Sequence, residues 1–264
     1  MKITALVENT SHCALTPEHG LSLYITTEKR RLLFDLGGGG AVFGNAEKLG
    51  IDLKAVDTLI ISHGHNDHGG PLGKFLSLNS SAAVYIQKSA FENHYSFSDG
   101  TRRKIGLDAG IAENPRVTLL DGDFRIDTEL FLVTAKSGGR FRSEANDVLY
   151  DESGPDDFRH EQNLIITENG KTALILGCGH CGLINILERT REFHPETVVG
   201  GFHLCTPPAM TPVRESLLSA IAAELPKYGA EFYTCHCTGL ASFEYLHGKC
   251  PNVNYLSCGE TIEI

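Results

Sequence analysis

The chain has 264 residues, of which 41% are hydrophobic and 21% are charged, so it can bury a large core and is not globally disordered. Its formal net charge of −10 makes it a poor general partner for nucleic acid or an anionic membrane. No apolar run approaches the roughly 20 residues of a membrane span, and the N-terminus has no secretory signal pattern. We therefore expect a cytoplasmic protein without membrane or nucleic-acid partners, whose eight cysteines are thiols or metal ligands rather than disulfides.

The first half of the chain predicts strands that end in small residues. The runs KITALVE, LSLYITT and LLFDLGGGG predict three strands, and the last two form a hairpin around EKRR. AVFGNAEKLG predicts a short helix that ends at Gly50, and the nearly continuous apolar run AVDTLIIS predicts a buried strand. A helix that begins near Pro71 and the strands AAVYIQ, RVTLL and ELFLVTA follow.

The second half predicts a hairpin and then alternating helices and strands. The hairpin is QNLIITENGKTALILGC, and TVVGGFH and AEFYTCHCTG are strands between three predicted helices. Several strands end in Gly with His or Asp, which favours a ligand site at the strand ends. Because no linker-like tract interrupts the pattern, we expect one domain, residues 1–264, built from two similar halves. Residues 92–116 and 136–160 lack clear periodicity and are expected to be inserted loops or lids that shape the pocket.

The stretch SHGHNDHGG, residues 62–70, concentrates potential metal ligands directly after a predicted buried strand. The flexible Gly64 lets the imidazoles of His63 and His65 converge on one cation, while Asp67 and His68 can face a second position. Neutral imidazole suits zinc, iron or manganese, and a carboxylate adds a hard ligand. Two metal ions about 3.5–4 Å apart can hold a hydroxide and stabilise an oxyanion. A surface turn that happens to be rich in histidine is the alternative, and the concentration of ligands disfavours it.

The motif SHGHNDHGG matches the HxHxDH signature of the metallo-β-lactamase superfamily, and LLFDLG and the strand order also fit it. EHGLSLYI, GCGHCGLINIL, GGFHL and HCTG resemble one branch of that superfamily, the metallo-hydrolases similar to dihydropterin–ribofuranosylaminobenzene phosphate synthase. The resemblance extends from about residue 3 to residue 260. It implies an α/β fold, a four-layer αββα sandwich with the metal site at the sheet edge.

The resemblance also implies a set of metal ligands. His63 and His65 would bind the first ion and Asp67 and His68 the second, with further ligands from His180 and His236. The chain departs from the common pattern at Cys178, where many relatives have a bridging aspartate. Either His180 replaces that aspartate or Cys178 enters as a thiolate, and the alternative is that Cys178 is a small buried thiol.

Other residues have weaker patterns. His203, at a strand end, is either a catalytic residue that faces substrate or metal, or a structural histidine. Asp35 is expected to support a ligand by hydrogen bonding, or to cap a turn. Arginine forks suit anions, so Arg140 and Arg142 in KSGGRFR are substrate-binding candidates, as is TRRK at 101–104, although solvated loops are the simpler interpretation.

A separate four-cysteine site and a role for the remaining histidines are both disfavoured. A four-cysteine zinc or iron–sulfur site is possible, but each cysteine pair adjoins a predicted histidine ligand and CxC is a poor chelating spacing. Its members would be Cys178, Cys181, Cys235 and Cys237. The histidines without such context are expected to be ordinary, namely His12, His19, His94, His160, His194 and His247.

Together these features predict a metal-dependent hydrolase of a small anionic substrate, with a phosphoester as the first expectation. A metal-bound hydroxide would attack, and Asp67 would hold a metal ion and orient the nucleophile. The expected cofactors are two divalent ions, zinc first, with iron or manganese as alternatives. A β-lactam substrate is not expected, because a fold does not define a substrate. The alternatives are a transferase that condenses a pterin diphosphate with a ribofuranosylaminobenzene phosphate, which the branch implies, and a non-catalytic, metal-stabilised ligand-binding protein.

Overall fold

Two seven-stranded sheets lie at the centre of the protein. The computed structural model describes residues 1–139 and 141–264. In chain order the strands are β1 (Lys2–Val7), β2 (Ser22–Thr26), β3 (Arg31–Phe34), β4 (Thr58–Ile60), β5 (Ala83–Gln87), β6 (Tyr95–Ser96), β7 (Arg103–Lys104), β8 (Val117–Leu120), β9 (Phe124–Arg125), β10 (Leu130–Val133), β11 (Leu149–Tyr150), β12 (Asn163–Glu168), β13 (Lys171–Ile175), β14 (Thr197–Gly200), β15 (Cys205–Thr206), β16 (Thr211–Pro212), β17 (Glu231–Thr234), β18 (Val253–Tyr255) and β19 (Thr261–Glu263). The helices are α1 (Ala41–Lys48), α2 (Asn66–Gly69), α3 (Leu72–Leu78), α4 (Leu183–Arg189), α5 (Glu215–Glu224) and α6 (Leu240–Lys249).

Each large sheet is antiparallel on one side and parallel on the other. The first has the order β19-β1-β2-β3-β4-β5-β8 and is parallel from β3 to β8. The second has the order β18-β17-β14-β13-β12-β10-β9 and is parallel from β13 to β18. The predicted hairpins are β2–β3 and β12–β13, both antiparallel, as expected from their short polar turns. Parallel neighbours place their C-terminal ends at the same edge of the sandwich, which is where the candidate ligands follow the strands.

The packing follows the predicted αββα order. Apolar side chains of both sheets, such as Ile25, Phe34 and Ile166, form one core between the sheets. Helices α1 and α3 cover the outer face of the first sheet, and α4, α5 and α6 cover that of the second. Strands buried on both faces explain the nearly continuous apolar runs in the sequence. The four-layer fold is therefore confirmed. No helix among the described residues is both long and apolar enough to cross a membrane.

The two segments expected to be loops contain a small sheet of their own. Strands β6, β7 and β11 pair antiparallel in the order β11-β6-β7, and we call this the cap sheet. It is joined to the histidine motif, because the Asn66 amide donates to the Ile105 carbonyl (2.7 Å) and the Ile105 amide donates to the His94 carbonyl (2.9 Å). The cap sheet therefore has a fixed position beside the motif.

Candidate metal centre

Five strand ends bring the candidate ligands together at one edge of the sandwich. Asp35 follows β3, and the motif of residues 62–70 follows β4. Cys178 and His180 follow β13, while His203 follows β14 and His236 follows β17. All these side chains are largely buried, so the polar groups among them need partners.

The first group of donor atoms comes from His63, His65 and His180, whose ligand atoms lie within 4.8 Å of one another. His63 Nε2 and His65 Nδ1 are 3.1 Å apart. The opposite nitrogen of His63 contacts the Ser62 hydroxyl at 2.8 Å, and that of His180 contacts the Asn146 side-chain oxygen at 3.0 Å. These contacts turn Nε2 of His63 and of His180 towards the group, whereas His65 presents its Nδ1 to His63. His180 Nε2 has no hydrogen-bond partner within the described residues.

The second group consists of Asp67, His68 and His236. His236 Nε2 lies 3.5 Å from Asp67 Oδ2, and His68 Nε2 lies 4.0 Å from the same oxygen. His236 Nδ1 is held by the Asn9 side-chain oxygen at 2.8 Å, and His68 Nδ1 by Asp35 Oδ2 at 2.7 Å. Each ring therefore turns its Nε2 towards the Asp67 carboxylate.

Cys178 lies between these two groups. Its sulfur atom is 3.1 Å from His68 Nε2, and it also groups with His63, with His180 and His203, and with His236. The structure thus brings both Cys178 and His180 to the cluster, where the sequence left a choice between them. Burial raises the pKa of the Cys178 thiol, so a metal ion that bound there would displace a proton.

The other cysteines do not extend this arrangement into a four-cysteine site. Cys181 donates to the Ala135 carbonyl at 3.1 Å, and Cys235 packs in the core between the two sheets. Cys237 lies beside Cys178 and lines the same cavity. The four-cysteine alternative is therefore not supported by the positions of these thiols.

The electrostatics of the cluster fit a cation site. Burial, reinforced by the neighbouring imidazoles, holds the pKa of His63, His65 and His180 well below the usual value, so these rings are neutral and keep a lone pair for a metal. Burial opposes protonation of His68, but the carboxylates of Asp35 and Asp67 outweigh it and raise its pKa to about 9. Imidazole nitrogens, a carboxylate and a thiol, buried with several atoms unpartnered, form a donor set that suits zinc.

Asp35 supports the ligands as the sequence suggested. Its Oδ1 accepts the Ser62 backbone N–H and its Oδ2 accepts the Ser62 hydroxyl, both at 2.7 Å, and Oδ2 also contacts His68. Glu161 has a similar role that the sequence did not indicate. Its carboxylate accepts the backbone N–H groups of His180 and Cys181 at 2.7 and 2.8 Å.

A second buried network lies under the motif. The Asp156 carboxylate contacts His94 Nδ1 at 2.9 Å and His160 Nε2 at 3.1 Å, and His160 Nδ1 accepts the Gly64 backbone N–H at 3.0 Å. A Cβ at Gly64 would lie 2.5 Å from the Ala90 carbonyl oxygen. The site therefore requires glycine for close packing, whereas the sequence suggested flexibility.

Three histidines that were expected to be ordinary lie at or beside the site. His19 Nε2 is 3.3 Å from Asp67 Oδ2, and its ring lies beside that of His236. His94 and His160 belong to the network under Gly64. Neither their spacing nor their neighbours in the sequence resemble a ligand motif, because tertiary packing alone brings these segments together.

A cavity of about 750 Å³ opens onto the cluster. His203 borders it, is 6% exposed, and has both ring nitrogens without a partner within the described residues. Arg142 does not line this cavity and pairs with Asp147 at 2.5 Å, and Arg140 lies outside the described residues. Arg103 and Lys104 of the cap sheet line it instead. The candidate ligand and catalytic residues that line it are His65, Asp67, Cys178, His180, His203 and His236.

Residues 15–186 match the model of the Metallo-beta-lactamase superfamily, and the chain belongs to this superfamily. The fold is that of the metal-dependent hydrolases of this superfamily, and the buried histidine cluster brings together side chains that can hold a metal ion.

Among solved structures, the chain is similar to Tm1679, described as a metal-dependent hydrolase of the beta-lactamase superfamily. The TM-score is 0.82, with 27% identity over all of this chain and 99% of the other. Two Methanocaldococcus jannaschii proteins are also similar. One is the uncharacterized protein MJ0448, 27% identical over 99% of this chain and 100% of the relative. The other is a 7,8-dihydropterin-6-methyl-4-(beta-D-ribofuranosyl)-aminobenzene-5'-phosphate synthase, 28% identical over 84% of this chain and 81% of the relative.

Proposed function

We propose that this protein is a metal-dependent hydrolase that acts on a small phosphoester. The supporting observation is the convergence of two donor groups, with the Cys178 thiol between them, beside a single cavity that members of both groups line. The cavity volume of about 750 Å³ suits a small molecule. Tm1679, similar over the whole chain, is described as a metal-dependent hydrolase, which agrees with this proposal. We further propose that residues 1–264 act as a single domain, with 92–116 and 136–160 as the segments that shape the pocket.

The two donor groups would hold two divalent ions, with zinc as the best match to the ligand types. His63, His65 and His180 would bind the first ion, and Asp67, His68 and His236 the second. The Cys178 thiolate, which lies between the two groups, would be a further ligand. Such ions supply Lewis acidity and lower the pKa of water enough to provide a nucleophile at neutral pH.

The protein's own groups would orient and complete the reaction. Burial alone would raise the pKa of Asp67, but the imidazoles of His68, His19 and His236 hold it well below its usual range. Asp67 is therefore an ionised acceptor that can orient an attacking water. His203, with two unpartnered ring nitrogens at the cavity wall, is placed to hydrogen-bond the leaving-group oxygen as its bond to phosphorus breaks.

The test combines metal analysis with substrate screening. Protein purified without oxygen should contain two equivalents of divalent metal and hydrolyse members of a phosphoester panel. The His65→Ala variant should lose metal and activity. His247→Ala is the matched control, because His247 lies on α6, where its ring contacts the Val253 carbonyl. Full metal content in His65→Ala, or no turnover by fully loaded protein on phosphoesters, would overturn the proposal.

A transferase is the second candidate, and the observation in its favour is the 28% identity to the named synthase. That reaction would join a pterin diphosphate to the ribofuranosylaminobenzene phosphate and release diphosphate, with water excluded. Incubation with both compounds separates the two functions. A joined product supports the transferase, whereas release of free hydroxymethylpterin supports the hydrolase.

A further inference from the structure

A pair of basic side chains stands at the cavity wall contributed by the cap sheet. Arg103 and Lys104 form β7, and both line the cavity whose base carries the ligand cluster. Ser96 and Ser98 line the same side of the cavity. Glu18 and Asp67 line this cavity as well, so the two adjacent cations mark the part of its wall that favours an anion.

The position of this pair is fixed by backbone hydrogen bonds. Strand β7 pairs with β6, with Ser96 opposite Arg103. The next residue, Ile105, accepts the backbone N–H of Asn66 at 2.7 Å. Asn66 lies between the candidate ligands His65 and Asp67. Lys104 is therefore the direct neighbour of a residue that is hydrogen-bonded to the ligand loop.

The two side chains also retain the capacity to bind an anion. Arg103 is oriented by Asp99, whose Oδ2 lies 3.1 Å from its Nε, and by the Ser98 hydroxyl, which accepts from a terminal nitrogen at 3.2 Å. A guanidinium has five N–H groups, so these two contacts leave donors for a ligand. Lys104 has no carboxylate within 4.0 Å among the described residues, whereas Arg142 and Arg159 each pair with acids.

We propose that Arg103 and Lys104 form an anion subsite that binds a second anionic group of the substrate, away from the bond that is cleaved. This inference rests on the proposed hydrolase function and narrows its substrate class. The substrate is a small organic phosphoester that carries a further phosphate or carboxylate. The planar guanidinium offers paired donors to such a group, and the lysine adds a point charge.

The test uses three 4-nitrophenyl alkyl phosphodiesters with the same linker, which ends in a phosphate, a carboxylate or a hydroxyl group. Arg103→Ala and Lys104→Ala should each raise KM about tenfold for the charged esters, leave kcat nearly unchanged, and leave the hydroxyl ester unaffected. Added salt should reduce the difference in KM between the variants and the wild-type protein. A higher KM for the phosphate ester alone identifies a phosphate subsite. An equal increase in KM for both charged esters identifies a general anion subsite.

Arg102→Ala is the matched control. Arg102 is the neighbouring residue and carries the same charge, but its guanidinium stacks 3.7 Å over the Tyr95 ring and it does not line the cavity. Equal effects of Arg102→Ala and Lys104→Ala, or an unchanged KM for the charged esters, would overturn the subsite.

The subsite can also be tested if the hydrolase proposal fails. If wild-type protein cleaves none of the three esters, they become unreactive ligands, and their dissociation constants are measured by calorimetry. Tighter binding of the charged esters that is lost in Arg103→Ala and Lys104→Ala supports the subsite. Equal binding of all three by wild-type protein and variants refutes it.

Discussion

Replacing Asp35 with asparagine should weaken metal binding while leaving the fold intact. The carboxylate accepts three hydrogen bonds, from the Ser62 backbone, the Ser62 hydroxyl and His68 Nδ1, each at 2.7 Å. Asparagine has one acceptor oxygen and one NH₂ group. If its oxygen faces the Ser62 N–H, its NH₂ faces His68 Nδ1, which must then accept and carry its proton on Nε2. That nitrogen is the one that faces Cys178 and is needed for the metal.

The size of the effect follows from these contacts. The opposite amide orientation leaves the buried Ser62 N–H unpaired, so either orientation loses a hydrogen bond to a charged acceptor, at a cost of about 1.5–3 kcal/mol. Mutation of a residue that orients a metal ligand typically weakens metal binding by about 10–100-fold. We therefore expect Asp35→Asn to bind the second metal equivalent about 10–100-fold more weakly. The first equivalent, held by residues without a contact to Asp35, should change less.

The assay is competition for zinc against a chromophoric chelator, with circular dichroism to verify the fold. Asp127→Asn is the control, because Asp127 also accepts two backbone N–H groups, at 2.7 and 2.9 Å, in the turn between β9 and β10. Folded Asp35→Asn protein that binds both equivalents with wild-type affinity would refute the tautomer argument.

Three further results are expected. Gly64→Ala should lower the unfolding free energy by about 1–3 kcal/mol in urea titrations, because its Cβ would press on the Ala90 carbonyl oxygen; an unchanged midpoint would count against this. In metal-free protein, the raised pKa of His68, about 9 against 6.5 unfolded, should contribute up to about 3 kcal/mol of stability below pH 6.5, which is lost as the pH rises through 9. Urea titrations between pH 6 and 10 would show this decrease in unfolding free energy with rising pH, and the decrease should be smaller in Asp35→Asn. Cobalt-loaded protein should show a thiolate-to-cobalt absorption band that Cys178→Ser removes. A band that is unchanged in Cys178→Ser but lost in Cys237→Ser would exclude Cys178 as a ligand, because Cys237 lies beside it.

The fold was largely predictable because its determinants are local. Apolar runs marked the strands buried on both faces, and short polar turns such as ENGK marked the hairpins. The motif at 62–70 was visible because four candidate ligands, three histidines and one aspartate, lie within six residues. His180 and His236, distant in sequence from the motif, were found only through resemblance to a family.

The environment of the ligands was not predictable in this way. Asn9, Asn146 and Asp156 orient the histidines through contacts between segments that are far apart in the chain, and no spacing rule marks them. The roles of the basic loops were also not predictable from the sequence. Arg142 and Arg103 lie in similar charged runs and both pair with an acid, but only the structure shows that Arg103 lines the cavity and Arg142 does not.

The charges of the centre connect the two proposals. Two divalent ions would bring four positive charges, which Asp67, a Cys178 thiolate and the buried Asp35 would offset only in part. The three imidazoles of the first group are neutral and contribute no compensation. Four positive charges less these three leave one, which the Glu18 carboxylate at the cavity balances, so the basic pair of the cap sheet supplies the further positive charge at the cavity wall. A neutral substrate would gain little from this field, whereas a substrate with anionic groups at both ends would be oriented along the cavity.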